Sequence, residues 1–265
     1  MGKLFRQIFK EDIKDTILWM LAPPILSLLG LFIYKTTGAR PFALLVFITM
    51  TLMAAAPLVC LVTLTGNDNE RFYGKKAAFY TALPLRSREV TGARFLNFLI
   101  LGLIFGILTI LNMVFFTISD TGTLSLVEFI KYAMSNIDPF IAGYIGKYLV
   151  VATLYSLVFI LQIMAANTLG ASRPFKAMGK AARPLIFVVA FIGQIMAYTR
   201  LLGIFLDHNP ANIEEYTRTL QNGDIVTITN ISWHSFAVAS IVLIVTAIIY
   251  LLVINYFHKE KISVE

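Results

Sequence analysis

The sequence predicts an all-α integral membrane protein with six transmembrane helices, and three observations predict it. Only 14% of the 265 residues are charged, 58% fall in the hydrophobic set, and the mean hydropathy is +0.77. Soluble domains carry about 25% charged residues, so this chain cannot cover a soluble surface and lipid must cover part of it. Six apolar blocks run roughly over 16–35, 42–65, 93–118, 140–169, 185–206 and 235–257. Each is long enough to cross about 30 Å of hydrocarbon, and backbone groups inside lipid must bond internally, so each must be helical. Finally, Lys and Arg sort to alternate connections between the blocks.

Segment 1–15 comes first. Leu4, Phe5, Ile8, Phe9 and Ile13 recur at helical spacing, with Lys3, Arg6, Lys10, Glu11 and Lys14 on the other face. This reads as an amphipathic interfacial helix with its basic side toward lipid phosphates. The domain that follows, 16–265, opens on a block too long and badly flanked for a cleaved signal peptide. That block holds Pro23 and Pro24, and the second holds Pro57, where a freed carbonyl and a kink are expected. Cys60 is the single cysteine, which excludes an internal disulfide and a cysteine-based metal site. In the third block Gly102 and Gly106 form a small-xxx-small pair that would let another helix approach. The 124–137 stretch places Leu126, Ile130, Ala133, Met134 and Ile137 on one helical face. It reads as a short helix on the outer leaflet or dipping into it. The loop 207–234 carries a short helix near Asn212–Leu220, an Asn222-Gly223 turn, and a β-branched run Ile225–Ile231 that is either a strand or an extended return.

Orientation follows from the basic residues. With both termini in the cytoplasm, the inner segments carry sixteen of the 22 Lys and Arg. Inner segments are enriched in these residues, and all four inner segments agree. The net charge of +7 is therefore read as topology, and no nucleic-acid partner is implied. The loop 66–92 lies inside and the loop 207–234 outside. This suits a multi-pass protein of the plasma membrane.

The inner loop carries the functional signal. Phe72, Phe79, Tyr80 and Leu83 fall at helical spacing, Pro84 ends that helix, and Ser87 reads as the N-cap of the third span with Glu89 in its first turn. An aromatic helix on the inner face suits docking to a cytosolic partner, or else the ring side chains form an interfacial belt. Within the spans, Asn112, Gln162 and Gln194 are polar but not ionisable. They either line a pathway or bond between helices.

The stretch Ala82-Leu83-Pro84-Leu85-Arg86-Ser87-Arg88-Glu89, after a helical segment and just before the third span, resembles the permease subunits of ABC-2 type exporters. The layout of an amphipathic N-terminal helix, six spans, inner termini and an ordered outer loop before the last span is similar too. The resemblance implies an ABC-2 type exporter fold in which Phe72, Tyr73, Phe79, Tyr80, Leu83 and Pro84 form a coupling segment, flanked by Arg86 and Arg88. Its partners would be a cytosolic ABC ATPase, which binds the ATP and Mg, and a second permease copy or homologous permease in a dimer. The chain itself has no Gly-x-x-x-x-Gly-Lys-Ser/Thr loop, so it is read as a transport subunit without a cofactor of its own, not an enzyme. The run before the helix, Asp68, Glu70, Gly74 and Lys75, only approximates the acidic "glu-lys-glu" pattern of many members. Span centres nearly free of charge suit an apolar or amphipathic cargo, and the resemblance implies a peptide such as an antimicrobial or toxin peptide, or else a lipid, glycan or drug. Two readings of another class compete. Glu214-Glu215-Tyr216-Thr217-Arg218 is one residue short of the Glu-Glu-x-x-x-Arg of intramembrane proteases, and an ion-coupled transporter would need ionisable residues at mid-membrane.

Overall fold

The computed structural model describes residues 2–37, 43–81, 86–121, 139–205, 213–219 and 225–260. Among these described residues, six helices are long and apolar enough to cross a membrane. The chain divides into two compact units.

The first unit contains α1 (Gly2–Thr37), α2 (Ala43–Tyr73), the five-residue α3 (Ala77–Thr81) and α4 (Ser87–Thr121). α1 packs along both α2 and α4. The amphipathic segment 1–15 is not a separate element: α1 runs from it through Pro23 and Pro24 without a break. Its apolar face meets protein, because Leu4 and Ile8 are buried with Phe72, Tyr80, Val90 and Ala93. α2 likewise continues through Pro57. Gly102 and Gly106 have nothing within 4 Å of the position a Cβ would take, so neither receives a neighbouring helix here.

α2 ends in a tight bend. A Cβ on Gly74 would stand 2.9 Å from Glu70 Cα, so the backbone can close only around glycine. Lys76 N donates to Glu70 O at 3.1 Å and Ala77 N to Gly74 O at 3.0 Å, which turns α3 back beside α1. The start of α4 differs from expectation. Arg86, not Ser87, holds the cap position: its N–H donates to Glu89 Oε2 at 3.0 Å, the reach-back half of a capping box. The Ser87 hydroxyl finds no partner among the described residues.

The second unit contains α5 (Pro139–Gly170), a 3-10 segment (Arg173–Ala181), α6 (Ala182–Phe205), strands β1 (Ile213–Thr219) and β2 (Ile225–Ile231), and α7 (Trp233–Glu260). α5 packs on α7 and α6. Gly170 admits the start of α6, since a Cβ there would lie 2.4 Å from Arg183 Cγ and 3.2 Å from the Arg183 backbone. The 3-10 segment opens on Ser172, whose carbonyl accepts from Phe175 N at 3.0 Å, and is broken at Gly179 (φ 57, ψ −136), a conformation that glycine alone takes readily.

The strands correct the helix expected near Asn212–Leu220. β1 and β2 pair antiparallel, Ile213 opposite Ile231 through Thr219 opposite Ile225. An isolated helix of nine residues is marginal in water, whereas the β-branched partner strand offers β1 a complete ladder. The run Ile225–Ile231 is thus a strand and not merely an extended return. The Asn222-Gly223 turn and the 124–137 helix lie outside the described residues.

Candidate functional site

The end of the first unit where α1 begins, α2 ends and α4 begins holds two buried ion pairs. Arg71, from the last turn of α2, grips Asp12 of α1 with both terminal nitrogens, at 2.9 and 2.5 Å, and its Nε donates to Glu11 at 3.0 Å. Asn67 and Asn97 donate to the same Asp12 carboxylate at 2.9 and 2.5 Å. Asp12 therefore ties α1 to α2 and to α4 at once. Asp12 is 1% exposed and Arg71 2%, so neither charge could persist there unpaired. Arg94 of α4, 1% exposed, forms the second pair. It donates to both oxygens of Asp68 at 2.7 and 2.6 Å and to the Tyr73 hydroxyl at 2.9 Å. Its guanidinium also lies over the rings of Phe72 and Tyr73, 5.0 and 5.3 Å from their centroids, a favourable cation–π placement.

α3 rests on this lattice through Tyr80. The ring packs 5.4 Å from Phe72, and the hydroxyl donates to Glu11 Oε1 at 3.2 Å while accepting from Gln7 at 3.4 Å. Burial, then the neighbouring Glu11 carboxylate, pushes the Tyr80 phenol above its ordinary range. Next to it, Phe79 is 57% exposed and stands edge-on to Tyr80 at 5.3 Å. Gly74, Lys75, Lys76, Ala78, Arg86 and Arg88 are exposed as well.

The residues expected to act together thus divide. Phe72, Tyr73 and Tyr80 anchor the short helix, and Phe79, Arg86 and Arg88 are presented outward. Leu83 and Pro84 lie outside the described residues. No local pattern in the sequence marks the ion pairs, although Asp68 and Arg71 sit one helical turn apart. That signal marks a shared face but gives no partner.

The three polar span residues all make interhelical bonds. Ser27 of α1 donates to Asn112 of α4. Gln162 of α5 donates to the Phe187 carbonyl of α6 at 3.3 Å. Gln194 of α6 accepts from Tyr250 of α7 at 3.2 Å and donates to Tyr198 at 3.1 Å. Of these, Gln194 also lines a groove of about 400 Å³ between α6 and α7, with Tyr198, Thr246 and Tyr250. Lys147 of α5 is buried, its ammonium 4.4 Å from the centroid of Trp233 at the start of α7. Among the described residues no group of His, Cys, Asp or Glu is placed to hold a metal. Glu214, Glu215 and Arg218 lie on β1, outside the six candidate spans.

No known protein family, curated protein or solved structure matches the chain.

Proposed function

We propose that this chain is the transmembrane permease subunit of an ATP-driven exporter of the ABC-2 type. In this reading both termini and the loop 66–92 face the cytoplasm, and the membrane is the plasma membrane. A separate cytosolic ATPase binds and hydrolyses ATP with Mg. It docks on the inner face through the exposed residues Lys75, Lys76, Phe79, Arg86 and Arg88. A second copy of the chain, or a homologous permease, completes the pathway. The cargo is apolar or amphipathic, a peptide before a lipid, glycan or drug, because the span centres offer it no fixed charge.

One observation carries the reading. A five-residue helix with an exposed aromatic is held through Tyr80 to a cluster in which buried ion pairs tie three membrane-length helices together. An exposed phenylalanine gains nothing in water, and a rigid mount is what a push delivered at that point would need. The likeness of Ala82–Glu89 to the exporter permeases supports an ATPase as the source of the push. The β1 placement of Glu214 and Glu215 weakens the protease alternative, which needs them within a membrane helix.

The test is co-expression with a candidate ABC ATPase encoded beside this chain, followed by affinity purification of the permease. The expected result is a stoichiometric complex whose ATPase activity responds to cargo. Replacing Phe79 with Ala should lower that response at least about tenfold, the loss expected from a central aromatic anchor, while the permease stays folded. An ATPase that neither co-purifies nor alters transport overturns the reading.

A further inference from the structure

The first four turns of α1 have two faces with different partners. Leu4, Ile8 and Asp12 are buried, and the Asp12–Arg71 pair fixes the rotation of the helix about its axis. Lys3, Arg6, Lys10 and Lys14 are exposed on the reverse. At about 100° per residue these four fall within an arc of roughly 80°. The exposed apolar residues Ile17 and Leu21 lie on the same line as the helix enters its span. Lys14 and Lys10 rise about 5 and 10 Å beyond Ile17, the depth of the headgroup layer. Arg6 and Lys3 stand one to two turns further out, where long side chains reach back toward the interface. The acidic residues of this segment point away: Glu11 and Asp12 bind Arg71, and Asp15 accepts from Asn67 at 2.9 Å. The outward face is therefore cationic alone.

We propose that this face binds the phosphates of anionic lipids, and that lipid bound there steadies the cluster of α1, α2 and α3 on the opposite face. Each basic side chain gains attraction from an anionic surface. The helix cannot rotate to follow the lipid without breaking the Asp12–Arg71 pair, so the attraction holds the whole cluster against the membrane. The inference does not depend on the exporter reading, since any partner of Phe79 would meet a cluster held in this way.

The experiment uses the full chain in nanodiscs of phosphatidylcholine alone or of phosphatidylcholine with phosphatidylglycerol. Retained lipid is read by native mass spectrometry and local opening by hydrogen exchange over 72–80. Phosphatidylglycerol should be retained in preference, and the amides of 72–80 should exchange about fivefold more slowly with it, the scale of one basic residue at an anionic surface. The K3Q/R6Q/K10Q/K14Q variant should lose both differences, and K75Q/K76Q should keep them. Inorganic phosphate added to phosphatidylcholine discs should not reproduce the protection. Equal retention and exchange for the unaltered chain in the two lipids overturns the proposal without any variant having to fold. So does a quadruple variant that behaves like the unaltered chain, or full protection by phosphate alone.

Discussion

The Asp12 carboxylate, 1% exposed, is compensated by the donors that point at it, two from Arg71 and one each from Asn67 and Asn97. The same holds for Asp68, whose two oxygens face Arg94. Removing one partner of such a pair leaves the other charge buried and uncompensated. Asp68→Asn should therefore destabilise the protein by about 3–5 kcal/mol, measured by denaturant unfolding in detergent. Arg88→Gln, at an exposed position, should change stability by no more than about 0.5 kcal/mol. Tyr80 and Phe79 are neighbours with opposite roles. Tyr80→Ala empties a site that is only 4% exposed and should lower stability by about 3 kcal/mol or more. Phe79→Ala should leave the unfolding midpoint nearly unchanged while weakening partner binding. A sequence shows that both are aromatic and adjacent. Which one turns inward depends on the angle at which α3 returns to α1, and no local pattern states that angle.

At the scale of elements, composition was a good guide wherever lipid is the solvent. The six apolar blocks reappear as α1, α2, α4, α5, α6 and α7, since hydrocarbon permits few alternatives to helix. The boundaries moved where other physics governs. Segment 1–15 joined the first span because its apolar face found protein, and the 212–220 region became a strand because a partner strand lies within reach. The aromatic spacing foretold a short helix near 79, but not the glycine bend that aims it. Gly74→Ala places a methyl group 2.9 Å from Glu70 Cα, so the bend must open. The expected outcome is faster hydrogen exchange over 77–81 and loss of partner binding, with α2 and α4 unaffected. A Gly74→Ala variant with unaltered exchange there would remove the bend from the account of how α3 is held.

For the whole molecule, two kinds of information were legible to different depths. That the chain is built of membrane-crossing helices follows from how few charges it has, and the Lys and Arg bias assigns sides. The bias predicts that in a Cys60→Ala background a cysteine at Thr217 reacts with a membrane-impermeant thiol reagent in intact cells and one at Lys75 does not; the opposite pattern would invert the proposed topology. The site was less legible because its scaffold is a set of ion pairs between residues far apart in the chain, Asp12 with Arg71 and Asp68 with Arg94. In the proposed function Phe79 is a docking residue and not part of an interfacial belt. A photoreactive phenylalanine analogue at position 79, irradiated in cells that also express the ATPase, tests it most directly. Docking at Phe79 should give a crosslink between this chain and the ATPase that is absent when the analogue occupies position 217. Crosslinking at position 79 to lipid alone would contradict it.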